Sequence, residues 1–131
     1  MGFQIEAKLT TYITLAEEDI DDIMISALEG GVVYWADAAK VDGSYLGEYA
    51  SEQISHGGKL KFHLIEALEN DKRWYVLDRD KFLKGFKMWI ESCDDTYGVI
   101  DNVGSVDCGN IDSRCADEIV QYALFGKLVF G

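Results

Sequence analysis

Ile20, Ile23, Met24, Ala27 and Leu28 recur at i, i+3, i+4, i+7 and i+8, and the run stops at Gly30-Gly31. That spacing draws one apolar stripe down a helix and demands a surface to bury it against. Thr14 and Glu17 stand three apart in a capping-box pattern. Glu17, Glu18, Asp19, Asp21 and Asp22 load the first turns with the negative charge that a helix N-terminus favours. The pattern predicts a helix over 15–29, with Gly30 as the left-handed residue that ends it. The sequence contains no proline, so glycine supplies the remaining breaks.

The other elements are placed around that helix. Phe3, Ile5, Ala7, Leu9 and Ile13 share one parity, the period of a half-buried strand. Val32, Val33, Tyr34 and Trp35 read as a strand leaving the helix. After the turn signal Asp42-Gly43 no clean period runs as far as Gly58, which predicts a loop with a short helical turn near 48–54. Leu60, Phe62 and Leu64, then Trp74 and Val76, alternate with their neighbours across the polar stretch 69–72, as in a β-hairpin. Asp78 or Asp80 caps a second helix reaching about residue 91, with Phe82, Leu83, Phe86, Trp89 and Ile90 on its apolar side. Residues 92–112 are acidic and irregular, with a short strand expected at 97–100. A last helix starts near Asp112 or Ser113 and buries Ala116, Ile119, Val120, Ala123 and Leu124. It ends at Gly126, ahead of a terminal strand at 128–130. The expected architecture is therefore a single α+β domain over 1–131, three helices packed on a mainly antiparallel sheet.

The two ends echo each other. Residues 22–34 (DIMISALEGGVVY) align without gaps with 118–130 (EIVQYALFGKLVF). Either a helix–glycine–strand unit is repeated, or any amphipathic helix entering a strand would look this way.

Charge limits what such a domain binds. The net charge is −12, with 24 acids against 12 bases, which argues against direct binding of nucleic acid or an anionic membrane. The distribution is uneven: residues 59–87 hold eight of the bases and five acids, leaving a mildly basic middle in a strongly acidic frame. No apolar run approaches the ~20 residues of a membrane span. The start MGFQIEAKLTTYITL lacks a basic region before an apolar core. Cys93, Cys108 and Cys115 are odd in number, as fits reduced thiols. A cytoplasmic protein is the expectation.

Binding chemistry concentrates in the segment 30–58. Tyr34, Trp35, Tyr45 and Tyr49 offer π faces, and the nearby glycines let backbone approach a ligand. Ser51, Gln53, Ser55 and His56 can hydrogen-bond a base or ribose, and Lys59 and Arg73 can contact phosphate. The same aromatics equally suit a core or the interface of a homo-oligomer. His56 would serve as a catalytic base only beside a nucleophile. Ser51 and Ser55 are close in sequence, but no nucleophile-elbow pattern surrounds them, and a turn histidine is the alternative. His63 reads as structural. The cysteines lack the close pairs of zinc sites, and Asp94, Asp95, Asp101, Asp107 and Asp112 lack the alternation of a calcium loop. No nucleotide-binding glycine motif is present, so neither a metal nor a cofactor is expected.

At YLGEYASEQISHGG (45–58) and CADEIVQYALFGKLVFG (115–131) the chain resembles small acidic proteins encoded by bacteriophages and mobile elements of Firmicutes. The likeness runs from about Ile20 to Gly131, with the hairpin and the acidic loop less distinctive. It brings no catalytic motif and so assigns no residue a role. It does imply a phage accessory setting, in which counter-defence proteins such as anti-CRISPR factors and sponges for immune nucleotides are common. Three readings follow. The first is a non-catalytic oligomer that sequesters a nucleotide-derived immune signal. The second is an acidic inhibitor that imitates nucleic acid and occupies a host defence nuclease. The third is a small hydrolase using His56.

Overall fold

The apolar stripe does form a helix, but the helix begins and ends differently from the expectation. In the computed structural model, which describes residues 2–6, 12–92 and 111–131, helix α1 spans Glu17–Ser26. Thr14 is not its cap, because it lies in strand β2 (Tyr12–Ala16), opposite Gln4 of strand β1 (Gly2–Glu6). The cap position falls to Ala16, whose backbone N–H donates to Asp19 Oδ2 at 2.8 Å. Acidic residues in the first turn thus do two things: they satisfy an orphan donor and complement the dipole.

Gly30 does not end the helix either. The chain widens into a π-helical turn at Ala27–Gly31, closed by Val32 N–H donating to Ala27 O at 3.0 Å. Gly30 and Gly31 are not among the left-handed glycines. Gly31 is needed for closeness: a Cβ there would lie 2.5 Å from the Ser113 carbonyl oxygen. The residues expected to form a strand, 32–35, instead make a turn in which Trp35 and Ala36 both donate to Val32 O. Strand β3 starts only at Ala36 and runs to Asp42. The turn swings the chain off the helix axis and sends the Trp35 ring into the core, where it is buried.

The expected hairpin is present as β4 (Lys59–Leu64) and β5 (Trp74–Leu77). Strand β3 pairs antiparallel with β4, giving a three-stranded sheet in the order β3-β4-β5. The N-terminal parity belongs to two strands, not one, because β1 and β2 form a separate antiparallel pair. Ile5, Ile13 and Leu15 still face inward. Leu60, Phe62, Leu64 and Leu77 face the helices, as the period of two requires. Lys61 and His63, and the partners Val76 and Trp74 opposite them, are on the other side.

Helix α2 (Arg79–Ser92) is capped by Asp78, whose carboxylate accepts from Lys81 N–H at 2.8 Å. Helix α3 (Ser113–Phe125) is capped by Asp112, which accepts from Cys115 N–H. Gly126, with φ of 73°, ends α3 in the left-handed conformation. Residues 128–130 belong to no strand among those described. The two chain ends therefore share a helix leading to glycine, while their glycines differ in conformation and only the first leads on to a strand. The described residues form a small α+β fold of three α-helices and five antiparallel strands in two sheets. The expected strand at 97–100, together with Cys93, Cys108, Asp94, Asp95, Asp101 and Asp107, lies outside the described residues. No described helix is long and apolar enough to cross a membrane.

The closest helix contact is the crossing of α2 over α3. A Cβ on Gly85 would sit 2.6 Å from Ala123 N and 2.7 Å from its Cα and Cβ. Alanine raises helix propensity by about 1 kcal/mol over glycine, but backbone cannot move aside as a flexible side chain can. Gly85→Ala is expected to destabilise the domain by about 1–3 kcal/mol net, read as a lower urea midpoint at unchanged m-value.

Candidate functional site

The polar residues of 44–58 are spent on holding their own loop. Gln53 is buried at the centre: its Oε1 accepts from Leu46 N–H at 3.0 Å, and its Nε2 donates to Ser44 O at 3.0 Å. Glu52 Oε1 accepts from the N–H groups of Glu48 and Tyr49. Ser51 is half-buried in the short 3₁₀ turn at Ala50–Glu52. With the backbone folded back on these side chains, Ile54 is buried while three large apolar groups of the loop point to water. Tyr45 is 62% exposed, Leu46 50% and Tyr49 61%.

Ser55 fastens the loop to α1, donating from Oγ to Asp21 Oδ1 at 2.6 Å. His56 is exposed, and its Nδ1 lies 2.7 Å from Glu52 O. A carbonyl only accepts, so Nδ1 carries the proton and the basic Nε2 is turned away from Ser55. The Ser55 hydroxyl is buried and its hydrogen is committed to a carboxylate. Serine, histidine and aspartate are adjacent here, with Ser55 Oγ 3.3 Å from His56 Nδ1, but the ring nitrogen that faces the serine is the one that carries the proton.

Tyr34 and Trp35 lie elsewhere, on α3. Trp35 Nε1 donates to Asp117 Oδ1 at 2.6 Å, and Tyr34 Oη donates to Asp117 Oδ2 at 2.7 Å. Gln121, one turn on, donates from Nε2 to Asp117 Oδ1 at 3.0 Å and to Phe130 O at 3.2 Å. Its Oε1 accepts from Val129 N–H and Phe130 N–H, at 2.8 and 2.9 Å. Phe130 is thereby laid parallel on Trp35, with ring centroids 5.4 Å apart. Burial first, then the hydrogen bond to Asp117 and its charge, push the Tyr34 phenol up to about 12. The sequence reading had passed over Asp117 and Gln121. The available signal was two polar residues four apart, each following a core residue, Ala116 and Val120.

Lys59 and Arg73 are separated as well. Strand β4 runs from Lys59 to Leu64, and Arg73 donates to Leu64 O and Ile65 O at the far end. Five residue steps of about 3.3 Å put roughly 17 Å between the two ends. Tyr34, Trp35 and Arg73 therefore stand at one end of the sheet, and Ser44, Gln53 and Lys59 at the other. The ten residues expected to form one ligand site do not converge on one place.

Carboxylates are dense along the chain from α1 through the loop, although one of them, Asp37, bonds His63 Nδ1 in the sheet at 2.6 Å. Residues 17–58 hold ten Asp and Glu against one base, Lys40, which pairs opposite Lys61 in the sheet. Asp21 registers the crowding: its carboxyl is pushed up by burial first and also by the charges of Glu52 and Asp22, against the Ser55 hydrogen bond. Cys115 is buried, and its thiol is pushed up to about 12, chiefly by burial. It is therefore protonated and inert at neutral pH.

No protein-family model matches the chain, and neither does any curated protein or solved structure.

The Asp117 cluster gives a paired test. Asp117→Ala orphans the buried Trp35 and Gln121 donors and should cost about 1–3 kcal/mol for each. Asp117→Asn can keep an oxygen toward both donors and should cost much less. The folded chain retains the Tyr34 proton that the unfolded chain loses near 10.0, so stability falls as pH climbs from there toward about 12. Asp117→Asn removes the charge, flattens that fall, and returns the phenol part of the way to 10.0, measured by tyrosine Cζ NMR.

Proposed function

We propose that the protein works without catalysis, by docking on a basic protein partner through the side formed by α1 and the 44–58 loop. The observation that supports this reading is the segregation of charge, ten carboxylates to one lysine over residues 17–58. Glu18 and Asp22 are exposed one turn apart on α1, about 6 Å at Cβ. Tyr45, Leu46 and Tyr49 supply apolar contacts within this carboxylate rim. An aromatic centre with a charged rim is the composition of protein interfaces, and the field of the rim speeds encounter with a basic surface.

A surface that is both basic and open to docking belongs to proteins that bind nucleic acid. The resemblance to phage and mobile-element proteins supplies the setting, a host defence nuclease whose channel the acidic face fills in place of DNA or RNA. Sequestering a nucleotide is the weaker reading. A phosphate near Tyr45 and Tyr49 would meet Glu48, Glu52 and Asp42, with Lys59 and Arg79, which donates to Ser55 O at 3.2 Å, in its favour and Arg73 at the other end of the sheet.

The test is calorimetry of the purified chain against a panel of nucleic-acid-binding defence nucleases at rising salt. The expected result is binding that weakens with salt and displaces the nuclease's own nucleic acid. It should fall at least about tenfold, ~1.4 kcal/mol, when Glu17, Glu18 and Asp22 are all replaced by lysine. No binding across the panel, or binding indifferent to salt and to these replacements, overturns the proposal.

A further inference from the structure

A second site lies at the opposite end of the sheet from Tyr45 and Tyr49. A cleft of about 480 Å³ opens between the start of α3 and the C-terminal tail, lined by Tyr34, Arg114, Asp117, Glu118, Leu128 and Phe130 among others. Its size is that of a small-ligand site. A smaller recess of about 160 Å³ adjoins it and shares Tyr34 and Phe130.

We propose that this cleft receives an alkylguanidinium or alkylammonium group. The lining combines an aromatic face with two carboxylates, Asp117 and Glu118, against one cation, Arg114. Asp117 is only 5% exposed, and its donors are the neutral groups of Tyr34, Trp35 and Gln121. Neutral donors stabilise a buried carboxylate but leave its field intact. Glu118 follows it, held by Trp89 Nε1, which donates to Glu118 Oε1 at 3.0 Å. Its Oε2 has no hydrogen-bond partner among the described residues. Arg114, the only cation lining the cleft, already takes part in an interaction of its own. Tyr34 is 51% exposed, with its hydroxyl pinned to Asp117, so its ring is held in place beside the cleft. A cation over that ring gains from the quadrupole as well as from the carboxylates, and its aliphatic stem has Leu128 and Phe130 to lie on. Anionic ligands are excluded by the same field.

The group could be carried by a free small molecule or by an arginine or lysine of another protein, and a titration separates these. Free arginine, spermidine and the peptide Gly-Arg-Gly are added to the full chain and followed by amide NMR. The same peptide with citrulline in place of arginine, equal in shape and uncharged, is the control. The expected result is saturable shifts at Tyr34, Glu118, Phe130 and the Trp35 indole with the cations, and at least about tenfold weaker binding of the citrulline peptide. Tighter binding of the arginine peptide than of the free amines assigns the group to a protein partner, and the reverse order assigns it to a small molecule. Glu118→Gln keeps an acceptor for Trp89 while removing the charge, and should weaken binding about tenfold at an unchanged melting temperature. Shifts absent with every cation, or equal for arginine and citrulline peptides, overturn the proposal. So does Glu118→Gln binding at wild-type strength. Should that substitution lower the melting temperature, the arginine–citrulline comparison on the unsubstituted chain decides. Because Glu17, Glu18, Asp22, Tyr45 and Tyr49 do not line the cleft, its failure would leave nuclease binding standing, and the converse also holds.

Discussion

One buried carboxylate organises the junction on which the fold turns. Asp117 accepts from Trp35, Tyr34 and Gln121, and so joins the exit from α1, the entry to β3, helix α3 and the tail. The cost of desolvating a charge is met by three donors, two of them aromatic side chains that bring large apolar area with them. Trp35 could not be buried without a partner for its indole N–H. Gln121 could not grip Val129 and Phe130 if its own amide were not oriented by the same carboxylate. Gly31 completes the junction by allowing backbone to touch backbone where a side chain would hold the π turn and α3 apart. A network of this kind specifies one arrangement because each member is satisfied only when all are in place.

What was legible in the sequence follows from how local each cause is. The stripe of α1, the β4–β5 alternation and the Gly126 stop are set by residues within a few positions of each other and are legible, while the cap of α2 is legible only as Asp78 or Asp80 and the start of α3 only as Asp112 or Ser113. The failures all depend on distant partners. Whether Gly30 or a π turn ends α1 is decided by Ser113, more than eighty positions away. Val32–Trp35 has strand propensity, yet a turn wins because it delivers Trp35 to Asp117 and Phe130. Residues 128–130 have it too, but their backbone N–H groups are taken by Gln121 in place of a neighbouring strand. In the last two cases strand propensity was overridden by tertiary hydrogen bonds.

The candidate site was less legible than the fold, for a related reason. Gln53, Ser55 and Glu52 look, in sequence, like ligand-facing polar groups in a glycine-rich loop. In the structure they are consumed in closing that loop and tying it to α1. Sequence shows which groups can hydrogen-bond but not whether the chain itself already occupies them. Tyr45 and Tyr49 were noticed for their π faces, and exposure is what makes them available; Trp35, noticed for the same reason, is stacked between core rings.

Loop closure and charge segregation together narrow the chemistry. A loop whose polar side chains are internally satisfied presents mainly backbone, tyrosine and leucine, a surface that recognises shape and apolar area. Around it the carboxylates of α1 and the loop outnumber the bases that reach this side, Lys59 at the loop's end and Arg79, which donates to Ser55 O. An ordinary soluble acidic protein would gain solubility from carboxylates scattered over its whole surface. Here the Asp21 carboxyl is pushed up by burial first and, less, by the charges of Glu52 and Asp22, against the Ser55 hydrogen bond and His56. On the reading proposed above, a basic partner would lower the repulsion among these carboxylates and an anionic ligand would add to it. The sign of the charge therefore argues for a protein over a nucleotide at this face, independently of any resemblance.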